Sequence, residues 1–282
     1  MRDVEPIERT RVLARDGESQ VERDDALAVE EPLEIRIRSA DRGTARSFVT
    51  TMRTPGHDEE LVAGLLFAEG VLQSRRDLLG LERPVDPRIE PELRANVMIA
   101  VVSPDARARG EKLERGTVMG SACGVCGKTS IENVLPPDAP LLVSGIRIRP
   151  EVLFALPGRL REGQSVFSRT GGLHAAGLFD AEGRIRALRE DIGRHNATDK
   201  LVGHFLLEDG LPLAESVLMV SGRAGFEIAQ KAYAAGIPVL ASVSAPSSLA
   251  VEFADAAGLT LVGFLRGRRY NVYAHPARIL PS

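Results

Sequence analysis

The sequence predicts an α/β fold: a mixed, largely parallel sheet in the last third, preceded by a smaller β-containing part. Three observations support it. Strand-like runs at residues 216–220, 237–243 and 259–265 alternate with helical stretches near 224–235 and before Gly258. The run at 237–243 is almost continuously apolar, and Gly236 and Gly258 close the helices before the second and third strands. Much earlier, residues 33–38 alternate apolar and charged side chains, the pattern of a half-buried strand. Strand, helix, strand, helix, strand requires parallel strands joined by right-handed crossovers. Residues 270–274 read as an antiparallel neighbour that makes the sheet mixed.

Taken in order, residues 1–28 carry charges of both signs and few large apolar groups, and read as a mobile arm or a short edge strand. Residues 46–53 read as the partner of 33–38. Next, Thr54 is expected to cap a helix with Pro55 in its first position; Asp58, Glu59 and Glu60 complement its dipole. Leu61, Leu65 and Ala68 would form its apolar face, Gly70 its end, and His57 is expected to be solvated. Residues 96–102 read as a strand. Residues 104–115 read as a charged, mobile connector with few apolar anchors. Residues 151–162 look helical, although Pro157 should kink or break them. Residues 173–179 and 184–188 read as a hairpin. The helix after Asn196 carries Leu201, Val202, Phe205 and Leu206 and stops at Gly210. Three units follow: the arm at 1–28, a smaller α+β part at 29–116, and an α/β domain at 117–282 that starts with a cysteine loop.

That loop holds both cysteines of the chain, Cys123 and Cys126, each followed by glycine, with Lys128 close behind. A thiol reacts as its thiolate, and a nearby cation and freed backbone N–H groups favour that form. Such a pair suits a carrier of reactive sulfur better than two packing residues.

Composition narrows the partners. Among 282 residues, 36 Lys and Arg against 39 Asp and Glu leave a net charge of −3, so no global field attracts nucleic acid. Aromatics are 4% and Trp is absent, which argues against a base-stacking platform. No apolar run approaches the roughly 20 residues of a membrane span. The first residues lack the apolar stretch of a signal peptide. With two cysteines, these features suggest the cytoplasm.

In a parallel sheet, loops after the strands gather at one edge, where ligands bind. Here they carry Ser221, Gly222 and Arg223, then Ser244, then Arg266, Gly267, Arg268 and Arg269. Two of these loops open helices, whose N-termini favour anions. The expected ligand bears phosphate or pyrophosphate. The absence of a Walker or dinucleotide fingerprint argues against a hydrolysed triphosphate or a nicotinamide.

Ordered motifs along the chain resemble the FdhD family of sulfur carriers accessory to formate dehydrogenases. They include Thr54-Pro55-Gly56-His57-Asp58-Glu59-Glu60-Leu61, Cys123-Gly124-Val125-Cys126-Gly127-Lys128, and Thr170-Gly171-Gly172-Leu173-His174-Ala175-Ala176. The stretch Arg189-Glu190-Asp191-Ile192-Gly193-Arg194-His195-Asn196-Ala197-Thr198-Asp199-Lys200 continues them, with small departures at Ile192 and Thr198. The resemblance implies a cytidine-deaminase-like α/β/α domain with a smaller N-terminal β-containing part, and a homodimer. It implies that sulfur arrives from a cysteine desulfurase as a persulfide on Cys123, with Cys126 relaying it or tuning its partner. The sulfur would pass to the bis-molybdopterin guanine dinucleotide form of the molybdenum cofactor, for use by the formate dehydrogenase catalytic subunit. The matching cofactor-binding stretch is Phe264, Leu265, Arg266, Gly267, Arg268 and Arg269, and GDP would mimic the nucleotide half. The segment 80–115 matches no motif.

Three rivals differ in what they predict. A zinc deaminase needs H-x-E with P-C-x-x-C; His57 and Glu59 mimic the first, but no proline precedes Cys123. A thioredoxin-like enzyme places its C-x-x-C after a strand, whereas a charged connector leads to this one. A cofactor-escort chaperone would keep its function after Cys123→Ala.

Overall fold

The computed structural model describes residues 5–41, 43–85, 90, 94–115 and 140–281. The first element corrects the reading of residues 1–28: β1 (Ile7–Asp16) and β2 (Ser19–Ala28) form a full antiparallel hairpin, with Ile7 opposite Ala28 and Asp16 opposite Ser19. Gly17, at φ 58°, makes the turn, and Arg11 pairs with Glu22 at 3.1 Å. The hairpin buries too little for an apolar face to be visible in the sequence. Leu13, Val21 and Leu27 are all exposed.

A four-stranded sheet follows, built from β3 (Glu31–Ser39), β4 (Arg46–Arg53), β5 (Leu78–Glu82) and β6 (Val97–Val102) in the order β4-β3-β6-β5. Leu33, Ile35 and Ile37 point into its core while Glu34, Arg36 and Arg38 face out, as the alternation requires. Helix α1 (Asp58–Ala68) packs on this sheet. Its N-cap is His57 at φ 57°, not Thr54. Thr54 is buried and its backbone is bonded elsewhere: its N–H donates to Asp191 Oδ2 at 3.2 Å and its carbonyl accepts from Lys200 Nζ at 2.8 Å. The expected apolar face is also too narrow. Leu61, Val62, Ala63 and Leu66 are buried, and Leu65 and Ala68 only partly, because α1 is covered on two sides.

Residues 104–115, read as a loose connector, form helix α2 (Pro104–Arg115). Pro104 starts it, and Ser103 Oγ accepts from the N–H of Ala106 at 3.3 Å. Besides the small apolar contacts of Ala106 and Leu113 with the core, its anchors are guanidinium groups. Arg109 donates to the Val71 carbonyl at 2.9 Å and to Asp77 at 2.7 Å, and Arg107, braced by Glu111 one turn on, donates to the Ile37 carbonyl at 3.5 Å.

The rest is a three-layer sandwich. Its sheet, in the order β12-β11-β10-β9-β7-β8, contains β7 (His174–Phe179), β8 (Ile185–Asp191), β9 (Val217–Val220), β10 (Val239–Ser242), β11 (Thr260–Arg266) and β12 (Arg269–Ala274). Strands β9, β10 and β11 are parallel; β7, β8 and β12 run antiparallel to their neighbours. Leu218, Val220, Leu240 and Leu261 face α5 (Arg194–Leu207), α6 (Phe226–Ala234) and α7 (Ser248–Ala257). On the other face Val217, Met219, Val239 and Val262 meet α3 (Pro150–Gly163). Helix α3 runs through Pro157 without breaking. Its stripe of Val152, Leu153, Leu156 and Leu160 is buried, and that packing outweighs the lost N–H bond. The short α4 (Ser165–Thr170) follows at a corner.

Helices α1 and α5 join the two parts. At their crossing, a Cβ added to Gly64 would lie 1.9 Å from the Asp199 carbonyl oxygen, and one on Gly203 would lie 1.8 Å from that of Glu60. Only glycine permits so close a crossing. Among the described residues, no helix is long and apolar enough to cross a membrane.

Candidate functional site

The strand order gathers β9, β10 and β11 ends at one edge of the sandwich, with the starts of β7 and β12 and the end of β8 beside them. Ser221 follows β9 and is stitched to β7: its N–H donates to the Ala175 carbonyl at 3.0 Å, and its Oγ accepts from the Ala175 N–H at 2.9 Å. Gly222 lies against His174 and Arg194; an added Cβ would meet His174 Nδ1 at 3.4 Å and Arg194 Cδ at 3.7 Å. The Ser244 carbonyl accepts from Ser242 Oγ at 2.8 Å and from the Phe264 N–H at 3.1 Å.

The 264–269 stretch forms the rim of this edge. A register shift between Gly263 and Arg266 breaks the β11–β12 ladder, and Phe264 sits in it at φ 53°, 41% exposed. Leu265 turns into the core and is fully buried. Gly267, at φ 56°, makes the turn that pairs Arg266 with Arg269. Arg266 Nε donates to the Val243 carbonyl at 2.9 Å, and the Arg268 guanidinium lies 5.5 Å from the Phe154 ring centroid. Arg223, Arg266, Arg268 and Arg269 are all exposed, and none pairs with a carboxylate among the described residues. Arg53, Arg109 and Arg189 each have carboxylate partners. Unpaired guanidiniums at strand ends suit an anionic ligand.

Beside this rim lies a cavity of about 690 Å³. Ser221, Val243 and His174 form one wall, and α3, α4 and the glycine pair Gly171 and Gly172 form the other. The Arg161 guanidinium caps the Phe167 ring at 3.9 Å from its centroid. Burial pulls the His174 imidazole below its usual pKa, and the charges of Arg194 and His195 add to that while Asp191 opposes it. A neutral ring thus faces the cavity. Behind it, His195 Nδ1 lies 2.8 Å from Glu227 Oε2. Burial would raise the Glu227 pKa, but the His195 hydrogen bond and charge outweigh it and lower the value.

The motif from Arg189 to Lys200 runs from the end of β8 into α5. Lys200 and Asp191, 1% and 0% exposed, pair at 2.7 Å. Asp191 also accepts from the N–H groups of Thr54 and Gly193 and from Asn196 Nδ2, which in turn donates to the Met52 carbonyl at 2.7 Å. This network satisfies both buried charges and ties the first sheet to the edge.

The structure therefore brings together Ser221, Gly222, Ser244 and the 264–269 rim, while Arg223 is exposed on the same loop as Ser221. Cys123, Cys126 and Lys128 lie outside the described residues. Sequence reasoning gave no role to Arg161, Gln164 or Phe167, because the cavity wall they form comes from a helical corner that carries no motif. His174 lay within a quoted motif, and only its place at the start of β7, across from Ser221, marks it.

The model of the FdhD/NarQ family matches residues 28–280. "Sulfur carrier protein FdhD" of Streptomyces coelicolor is 49% identical over 279 residues, covering 96% of this chain and 95% of its own. The protein of that name from Mycobacterium tuberculosis is 48% identical over 278 residues, with 95% and 97% covered. That from Thermoplasma acidophilum is 45% identical over 264 residues, with 93% and 89% covered. A crystal structure assigned as a formate dehydrogenase accessory protein from Desulfotalea psychrophila superposes with a TM-score of 0.74 at 24% identity. It covers 98% of this chain and 100% of its own, which shows the shared fold.

Proposed function

The chain belongs to the FdhD/NarQ family, and on that premise we propose that it carries sulfur for the maturation of formate dehydrogenase. Cys123 receives the sulfur: its thiolate attacks the terminal sulfur of a desulfurase persulfide, the desulfurase thiolate leaves, and Cys123 becomes a persulfide. Delivery as sulfide needs two electrons. Attack by the Cys126 thiolate on the Cys123 sulfur supplies them, releasing the terminal sulfur and leaving a Cys123–Cys126 disulfide.

The acceptor in this reading is the bis-molybdopterin guanine dinucleotide cofactor, bound as cargo at the strand-end edge. The observation that carries this is the trio Arg266, Arg268 and Arg269 on the rim, with Arg223 on the loop after β9: four exposed guanidiniums without carboxylate partners among the described residues. Pyrophosphate oxygens match such forks. Partners are a cysteine desulfurase, the formate dehydrogenase catalytic subunit and a second copy of this chain.

Two variants test it in cells that lack their own copy of the protein. Cys123→Ala and Arg268→Ala should both abolish or sharply lower formate dehydrogenase activity, and only Arg268→Ala should weaken GDP binding. Full activity with Cys123→Ala would favour an escort role instead. Light scattering of the purified chain should give the mass of a dimer.

A further inference from the structure

Helices α5 and α6 both start beside the strand-end edge, and two side-chain rungs lace them together. His195, the second residue of α5, places Nδ1 2.8 Å from Oε2 of Glu227, the second residue of α6, with 19% and 12% of the two side chains exposed. One turn deeper, Lys231 Nζ lies 2.5 Å from Asp199 Oδ1, and both side chains are buried. Glu227 is held as a carboxylate, so His195 Nδ1 is the donor and carries a proton in both charge states of the ring. The proton that comes and goes is the one on Nε2. Around the ring stand Glu227 and Lys231 from α6, Arg194 and Asp199 from α5, and His174 from β7, with Asp191 beyond it at the end of β8. The start of α6 is tied in turn to all three strand-end loops. The loop before it carries Ser221, Gly222 and Arg223. Ala224, in that loop, forms a bridge with Pro246 and its carbonyl accepts from the Ser247 N–H at 3.2 Å. The Ser244 carbonyl accepts from the Phe264 N–H at 3.1 Å.

We propose that His195 is a positioning residue of this edge: its protonated ring, gripped by Glu227, holds the first turn of α6 against α5 and keeps the Arg223 loop in the form that takes an anion. Of the two rungs, only this one contains an imidazole, whose charge changes between about pH 5 and 8. Protonation at Nε2 turns a bond between a neutral donor and a carboxylate into an ion pair, which is shorter and stronger. It also adds positive charge next to Arg194, whose Cδ lies 3.7 Å from where a Gly222 Cβ would be. An anion on the loops favours the protonated ring, and by reciprocity the protonated ring favours the anion. Binding takes up a proton, so affinity is greatest at the acid end of the imidazole range and falls as pH rises through it. The proposal rests on the strand-end cargo reading above and adds the residue that makes that site depend on pH.

Calorimetry on the full chain tests it with GDP-mannose, whose pyrophosphate is a diester and keeps the same charge across the range. The wild-type chain should bind it about fivefold or more tightly at about pH 5.5 than at about pH 8.5. His195→Gln can still donate to Glu227 but cannot take up the proton, and should hold the wild-type affinity of the alkaline end at both pH values, within about twofold. Glu227→Gln should move the pH dependence to lower pH, because the protonated ring loses its carboxylate. A merely structural role would lower affinity equally at every pH. His174→Gln should keep the wild-type ratio between the two pH values, whatever it does to the affinity itself. Nitrogen NMR of the ring-labelled wild-type chain needs no variant: with GDP-mannose bound, His195 Nε2 should keep its proton to higher pH. A His195→Gln chain that keeps the wild-type pH ratio, a profile flattened by His174→Gln instead, or a His195 titration that the ligand leaves unchanged would overturn the role of His195. Wild-type binding that is the same at both pH values would overturn it too, and leave the cargo site standing. Failure of the wild-type chain to bind GDP-mannose at any pH would overturn the cargo reading and this role together, while sulfur loading at Cys123 would remain a separate result.

Discussion

Two buried ions, Asp191 and Lys200, decide much at the scale of single residues. Each is fully paired: Lys200 to Asp191 and the Thr54 carbonyl, Asp191 to three further N–H donors. Removing one partner strands the other charge in the interior. Lys200→Met should lower stability by about 3–5 kcal/mol in urea unfolding, while Lys200→Met with Asp191→Leu should cost less than the two separate losses summed. Glu60 makes a second prediction. Burial would raise its pKa, but hydrogen bonds and charge from Arg189 and His57 lower it from 4.5 to about 2. A depressed carboxylate contributes its full stability above the unfolded value and loses it as pH falls through the folded one. Stability should therefore decline between about pH 4.5 and 2, and Glu60→Gln should flatten that part of the profile. At neutral pH the same variant should cost about 2–4 kcal/mol, because Arg189 loses its carboxylate. The sequence put Asp191 and Lys200 in one motif with no sign of their roles, since a buried pair and a catalytic pair are written with the same residues.

Close crossings and strained turns decide the arrangement of elements. The α1–α5 contact leaves no room at Gly64 or Gly203. Gly64→Ala should cost about 3 kcal/mol or more, because the clash is with backbone and cannot be relieved by a rotamer change. Phe264 is the converse case. A phenylalanine at φ 53° that stays 41% exposed takes on backbone strain for a reduced packing return. Phe264→Gly should leave the melting temperature unchanged or raise it, and should weaken GDP binding if the ring is kept for the ligand. The parallel strands were legible because their apolar runs are continuous and the helices before the second and third of them are closed by Gly236 and Gly258. Helix α2 was not, because Ala106 and Leu113 are its only apolar contacts with the core among the described residues and arginine hydrogen bonds, which no hydropathy pattern records, supply the rest. The hairpin of β1 and β2 escaped for a related reason: almost nothing in it is buried.

The two core parts of the molecule meet through α1, α5 and the Asp191 network, and the cysteine stretch connects them covalently. Helix α2 ends on the first sheet at Arg115. The described chain resumes at Pro140, whose carbonyl accepts from the Tyr233 hydroxyl at 2.8 Å on the sandwich. Residues 116–139, with Cys123 and Cys126, therefore link the part that carries α2 to the part that holds the strand-end edge. In the function proposed above, this division would separate a thiol that meets its donor from an edge that holds its acceptor. Loading Cys123 tests the account most directly. The chain is incubated with a cysteine desulfurase and cysteine, and its peptides are weighed. The account predicts a sulfur adduct of about 32 Da on Cys123, lost in Cys123→Ala and retained in Cys126→Ala. An adduct confined to Cys126, or none on either cysteine with an active desulfurase, would contradict it.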